Sequence, residues 1–94
     1  MKNSEQNSKK KENFKLAITE KAKKEISRLP VAEIQKLDTK IQKLPHNPFP
    51  KGVRKLVGSK QTYRIRQGNY RILYEVEGDE IIVMSVGHRR DVYG

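Results

Sequence analysis

The last third of this 94-residue sequence carries side chains that could bind a phosphate group and act on it. The segment 62–66 alternates apolar and basic residues, so a strand there places Arg64 and Arg66 on one face. Arg71 follows just across a turn at 67–69, and we expect a hairpin to bring it close to Arg66. Arginine donates two parallel hydrogen bonds to phosphate, and several arginines together can stabilise a pentacoordinate transition state.

The end of the chain adds three further candidates. Arg89 ends the last predicted strand, and Tyr93 follows near the terminus, where its ring could stack on an unpaired base. His88 could donate or accept a proton near neutral pH, or be only a polar strand end. Other basic residues are candidates for RNA binding without a role in chemistry: Lys51, Arg54, Lys55, Lys60 and Arg90.

The charge distribution favours a polyanionic partner. Lys and Arg number 21 against 11 Asp and Glu, which gives a formal net charge of +10, and no acidic residue occurs from 45 to 74. Such a field attracts nucleic acid and speeds its encounter with the protein. Two ordinary explanations stay open: a lysine-rich surface that serves only solubility, and arginines that are solvated or paired with Glu75, Asp79 or Glu80.

Several functional classes are disfavoured by composition. The chain has no cysteine and no clustered histidines, so we expect no disulfide framework, no metal site and no cofactor. It has no phosphate-binding glycine loop and no plausible nucleophile triad. Residues 1–13 lack the apolar run of a signal peptide, and no apolar stretch is long enough to span a bilayer. These features predict a cytoplasmic protein without membrane contact.

The elements that position the candidate residues begin after a polar start. Residues 1–13 are predicted to form a disordered basic arm, and residues 14–94 a single domain. The segment 14–18 predicts a first strand, after which Thr19 can cap a helix. Two apolar stripes at helical spacing, separated by Pro30, then predict a helical hairpin; the stripes are Ala22, Ile26 and Leu29, and Ile34, Leu37, Ile41 and Leu44.

The second half of the chain is predicted to be β. A Pro- and Gly-containing loop at 46–52 precedes strands at 62–66, 70–76 and 81–86, joined by tight turns. The last of these is almost wholly apolar, which predicts a central strand buried on both faces. The order β-α-α-β-β-β predicts an α+β fold in which the helical hairpin packs on one face of a small, mainly antiparallel sheet. The other face is then free to carry function.

Two segments resemble a known family. The run 63–74 (YRIRQGNYRILY) and the run 83–93 (VMSVGHRRDVY) resemble the RelE/ParE superfamily of type II toxin–antitoxin toxins, and the RelE branch most closely. The upstream Lys55-Leu56-Val57-Gly58 is similar to the family's lead-in to its first hairpin strand. The resemblance covers roughly residues 14–93.

This resemblance implies a compact fold similar to small microbial ribonucleases. It also implies a metal-independent endoribonuclease that cuts messenger RNA in the ribosomal A site, where the RNA 2′-hydroxyl attacks and a cyclic phosphate is left. By position, Arg64 and Arg66 match the two basic strand residues of the family's active site, and Arg71 matches its phosphate-binding arginine. Arg89 matches the arginine proposed as general acid or transition-state clamp, and Tyr93 matches the tyrosine that orients the base.

The resemblance also raises a question about the proton acceptor and implies a partner. The best-studied family pattern has lysines where this chain has Arg64 and Arg66, and arginine holds its proton too tightly to act as a base. We therefore expect His88 or water to accept the proton. The partner implied is a small, partly disordered antitoxin, bound in a hetero-oligomer.

Two other functions remain open from the sequence. One is a ParE-like toxin that inhibits DNA gyrase without cutting RNA. The other is an RNA-binding module without catalysis.

Overall fold

A computed structural model describes residues 14–88. The predicted basic arm at 1–13, and the predicted site residues Arg89, Arg90 and Tyr93, lie outside the described residues. The described elements are β1 (Lys15–Ile18), α1 (Glu20–Ser27), α2 (Val31–Lys43), β2 (Arg54–Lys55), β3 (Thr62–Gln67), β4 (Tyr70–Glu77) and β5 (Glu80–His88).

The helical hairpin forms where the sequence predicts it. Thr19 is the N-cap of α1, and its hydroxyl accepts a hydrogen bond from the backbone N–H of Ala22 at 3.1 Å. Pro30 is the N-cap of α2, so the helix starts at the break in the pattern. From the two stripes, Ala22, Leu37 and Ile41 are buried, and Leu44 is buried just after α2 ends.

The strands form one five-stranded sheet in the order β1-β5-β4-β3-β2. Three neighbouring pairs are antiparallel, and β1 pairs with β5 in parallel, so the predicted α+β fold with a mainly antiparallel sheet is confirmed. A parallel pair needs a long connection, and here the chain passes through both helices and three strands between β1 and β5. The sequence missed β2, which has only two residues and therefore shows no alternation.

The core lies between the helices and one face of the sheet. Its sheet side is built from Ile65, Ile72, Tyr74, Ile81, Val83 and Val86. The prediction that β5 is buried on both faces is wrong, because Ile81 and Val83 are fully buried whereas the intervening Ile82 is only half-buried. β5 does lie inside the sheet, between β1 and β4. The helices therefore pack on one face of the sheet, and no element within residues 14–88 covers the other, which we call the open face.

A bulge interrupts the pairing of β4 with β5. Tyr74 pairs with Val83, and the next residue back, Leu73, pairs with Ser85, so Met84 is an extra residue in β5. Because side chains alternate along a strand, one extra residue moves every later side chain to the opposite face. Beyond the bulge, Val86 therefore packs into the core.

Candidate active site

Two neighbouring strands bring the predicted arginines together. β3 and β4 are joined at Gly68, whose φ of +61° is a left-handed conformation that glycine adopts without strain. This turn sets Arg66 directly opposite Arg71, and Arg64 opposite Leu73. Partners in an antiparallel pair lie on the same face, so the three arginines share the open face, as the sequence predicts.

A fourth arginine joins them from the edge of the sheet. β2 pairs with β3 so that Arg54 lies directly opposite Arg64. The arginines line an open pocket of about 70 Å³, which we call the arginine pocket; its lining residues are Gly52, Arg54, Ile65, Arg64, Arg66 and Arg71. The sequence assigned Arg54 only to RNA binding, because the two-residue strand that places it beside Arg64 shows no pattern.

The electrostatics of this pocket are strongly positive. Within residues 14–88, Arg54, Arg64 and Arg66 form no ion pair, and the salt bridge in that range joins Lys23 to Glu20. The predicted alternative, in which acidic residues neutralise Arg64 and Arg66, therefore does not hold there. Like charges placed directly opposite each other destabilise a sheet. Arginines grouped in this way suit an anion whose oxygens accept their paired hydrogen bonds.

His88 lies away from the pocket. It pairs with Tyr70 on β4, while Arg71 pairs with Gly87, so alternation places His88 on the face opposite Arg71. Its ring packs edge-on against that of Tyr70, with 5.9 Å between the ring centroids. The bulge at Met84 causes this, because without the extra residue His88 would lie on the arginine face. The structure thus separates His88 from the three described arginines predicted to act with it.

The other predicted RNA-binding residues are distributed around the pocket. Lys55 pairs with Tyr63, so it lies on the face opposite its neighbour Arg54. Lys51 is exposed in a turn next to the pocket, and Lys60 is exposed in the loop before β3. The chain neighbours of two of these lysines line the pocket: Gly52 follows Lys51, and Arg54 precedes Lys55.

An aromatic group fixes the loop that borders the pocket. The ring of Phe49 packs edge-on against Tyr63 at 5.0 Å between centroids, and Tyr63 packs against Tyr74 at 5.9 Å. The buried hydroxyl of Tyr74 donates a hydrogen bond to the carbonyl of Pro48. Burial, with a smaller contribution from Tyr63, raises the pKa of Tyr74 above its usual range. The residue pattern of the sequence carries no sign that Tyr74 anchors the loop.

The described residues contain neither a metal-binding cluster nor a helix that could cross a membrane. Between residues 14 and 88, no three acidic or histidine side chains lie close enough together to hold a metal ion. No helix in the same range is long and apolar enough to cross a bilayer.

Comparison with known proteins identifies the family. The family model of the ParE toxin of type II toxin–antitoxin systems (parDE) matches residues 16–93. The chain belongs to this toxin family. Its match includes the whole arginine pocket and extends through Arg89 and Tyr93. The superfamily predicted from the two sequence runs is therefore confirmed.

Individual relatives carry RelE names. RelE1 of Methanocaldococcus jannaschii is 32% identical over 85 residues, which cover 85% of this chain and 94% of the relative. One chain of the RelE–RelB complex of Pyrococcus horikoshii aligns with a TM-score of 0.74 and 25% identity. The alignment covers 85% of this protein and 99% of the P. horikoshii chain. The isolated RelE toxin of E. coli aligns with a TM-score of 0.70 and 28% identity, and the alignment covers 80% of this chain and 83% of the E. coli chain. The fold is thus that of RelE toxins.

Proposed function

We propose that this chain is the toxin of a type II toxin–antitoxin pair and that it cuts messenger RNA in the ribosomal A site. The observation that carries the proposal is that four arginines from three neighbouring strands line one open pocket. Membership of the toxin family and the fold likeness to RelE support it. Since ribosomes and messenger RNA are the targets, we place the protein in the cytoplasm.

The proposed reaction uses the RNA's own nucleophile. The 2′-oxygen attacks the adjacent phosphorus, the bond from phosphorus to the 5′-oxygen breaks, and a cyclic phosphate and a 5′-hydroxyl result. Arg64, Arg66 and Arg71 hold the phosphate and stabilise the negative charge that grows on its oxygens. Arg54, which pairs with Arg64 across the strands, adds a fourth guanidinium group to the same pocket.

Proton transfer in this scheme does not use His88, whose ring packs against Tyr70 on the other face. Each described side chain of the arginine pocket that carries a polar group is an arginine. Arginine donates hydrogen bonds and keeps its proton, so it does not act as a proton acceptor. Water therefore accepts the 2′-hydroxyl proton. By the family resemblance, Arg89 supplies a proton or positive charge to the departing 5′-oxygen and Tyr93 orients the base.

We propose an antitoxin as the protein partner. The Pyrococcus horikoshii relative was solved as a RelE–RelB complex, which supports a toxin–antitoxin hetero-oligomer for this chain. The net charge of +10 suits an acidic segment that folds on binding.

One observation favours a second candidate. The matching family model is described as the ParE toxin, so inhibition of DNA gyrase is the alternative activity. It predicts DNA damage and loss of supercoiling by purified gyrase, with transcripts left intact. The arginine pocket favours the nuclease, because four arginines around one small pocket suit a phosphate group that accepts paired hydrogen bonds.

The test compares two basic residues from adjacent strands that lie on opposite faces of the sheet. Arg64→Ala removes a fork from the pocket, whereas Lys55→Ala removes a charge from the other face. Loss of one group that stabilises transition-state charge typically lowers the rate about 10²–10³-fold, so we expect that loss for Arg64→Ala. Lys55→Ala should weaken RNA binding only modestly.

Cleavage is measured by mapping messenger RNA ends on programmed ribosomes at saturating toxin. Circular dichroism checks that both variants are folded. Equal losses in the two variants would contradict a defined site on the open face. Intact RNA with inhibited gyrase supercoiling would establish the alternative activity instead.

A further inference from the structure

A second pocket lies at the end of α2, next to the arginine pocket. Its volume is about 250 Å³, just below the range of about 300–1,000 Å³ that is usual for small-molecule sites. We call it the lysine pocket; its lining residues are Lys40, Lys43, Leu44, His46, Asn47 and Pro50. The residue pattern in the sequence assigns no function to any of them.

The lysine pocket combines an apolar wall with a basic rim. Leu44 lines the pocket but is only 1% exposed, so the half-buried Pro50 is the apolar residue that offers surface to a ligand. Lys40 and Lys43 lie in the last turn of α2 and add two ammonium groups. A nucleotide has the matching chemistry, because its base and ribose present apolar surface and its phosphate is anionic.

The two pockets are joined by a tight turn. The N–H of Val53 donates to the carbonyl of Pro50 at 3.0 Å, and Gly52 has a φ of +91°, which is characteristic of a type II turn. Pro50 lines the lysine pocket and Gly52 lines the arginine pocket. Two residues span at most about 7 Å, so the turn brings one lining residue of each pocket close together. The exposed Lys51 lies at the tip of the turn, between them.

The helix end by itself explains only part of this arrangement. Lysines in the last turn of a helix stabilise its dipole, which accounts for Lys40 and Lys43. It does not account for Lys51 between the pockets, nor for the complete absence of acidic residues from 39 to 74. A positively charged groove along the backbone is typical of proteins that bind a single strand, and basic residues without acidic neighbours in the sequence suit such a groove.

We propose that the lysine pocket is a second subsite, which binds a nucleotide flanking the cleaved position, and that Lys51 contacts the phosphate between them. This inference rests on the proposed RNA substrate. Ammonium groups bind phosphate as point charges without the bidentate geometry of arginine, so the subsite adds affinity and register but no chemistry.

The test measures how removing two lysines of the pocket changes the binding of oligonucleotides of different lengths. The protein variant is Lys40→Ala/Lys43→Ala, and the matched control is Lys21→Ala/Lys24→Ala, which removes two exposed lysines from α1. The probes are fluorescent 2′-O-methyl oligonucleotides, which lack the attacking hydroxyl: a minimal one, and versions extended on the 5′ or the 3′ side. Fluorescence anisotropy measures Kd for the full-length chain.

We expect one of the two extensions to tighten binding to the wild type, and the lysine-pocket variant to lose that gain. Exposed ion pairs contribute modestly, so the expected rise in Kd for that extended probe is about 5–10-fold. The slope of the logarithm of the binding constant against the logarithm of the salt concentration should fall in magnitude by about 0.7 for each phosphate that the variant no longer neutralises. The minimal probe, and the control variant with every probe, should change little.

Each other outcome overturns the subsite. The variant could lose equal affinity for minimal and extended probes, which would show only a general charge effect. It could bind a poly-Glu peptide more weakly with RNA binding unchanged, which would assign the pocket to a protein partner. Cleavage of unmodified RNA by the wild type is measured separately. Cleavage without length-dependent binding would contradict the proposed subsite but not the proposed nuclease activity. Length-dependent binding without cleavage would contradict the nuclease activity but not the subsite.

Discussion

Neutralising one arginine of the pocket should make the protein more stable and less active. Arg66 lies directly opposite Arg71 and two residues from Arg64 on the same face. Arg64 and Arg66 have no ion pair within residues 14–88, so their charges repel when no anion is bound. Arg66→Gln removes the charge but keeps a long polar side chain in the strand, so the packing of the opposite face against the helices is untouched.

The expected gain follows from the position of Arg66 in the sheet. Cross-strand pairs contribute roughly 0.2–1 kcal/mol, and like charges directly opposite each other are destabilising. Arg66 is exposed, which screens the repulsion, so we take about 0.5 kcal/mol. For a domain of this size, 1 kcal/mol shifts Tm by about 4–8 °C, which gives a rise of about 2–4 °C.

Thermal unfolding followed by circular dichroism tests this at low salt and again in concentrated NaCl. The gain should shrink in concentrated salt, because the Debye length falls to about 3 Å at 1 M. Added phosphate should raise the Tm of the wild type more than that of Arg66→Gln, since a ligand stabilises the state that binds it. Lys60→Gln, in the exposed loop before β3, is the control for loss of net charge alone.

Two results would refute the reasoning. A Tm for Arg66→Gln at or below that of the wild type would mean that the charges do not repel measurably. A rise equal to that of Lys60→Gln would mean that total charge, and not the cross-strand placement of Arg66, sets the effect.

Two further predictions concern groups that hold the site in place. Tyr74→Phe should lower the free energy of unfolding by about 1–3 kcal/mol, because the buried carbonyl of Pro48 loses its donor; urea unfolding measures it. Folding raises the pKa of Tyr74, so the neutral phenol stabilises the folded state fully below about pH 10, and this stabilisation is lost as pH rises toward the folded-state pKa. Unfolding measured from neutral to alkaline pH should therefore show a loss of stability in the wild type and a smaller loss in Tyr74→Phe. The side-chain oxygen Oε1 of Glu25 accepts hydrogen bonds from Ser85 Oγ at 2.9 Å and from the N–H of Val86 at 2.8 Å. Glu25→Ala should therefore speed hydrogen exchange at Val86, and Glu25→Gln, which keeps an acceptor, should speed it less.

Much of the fold could be predicted from the sequence because its signals are local. Helical spacing gave the stripes that meet the sheet, and Thr19 marked the start of α1. Alternation in 62–66 put Arg64 and Arg66 on one face, and the short turn brought Arg71 opposite Arg66. These features depend on neighbours a few residues apart, so their periodicity is visible in the chain itself.

The site as a whole was decided by contacts between distant segments. Arg54 joins the pocket because a two-residue strand pairs with β3, and so short a strand has no periodicity to detect. His88 turns away because Met84 is an extra residue in β5 relative to β4. The lysine pocket meets the arginine pocket only through the turn that holds Pro50 near Val53. Residue types and their local spacing therefore determined the chemistry available to this protein. Register between strands, which is set by pairing across the whole sheet, decided which groups share a face.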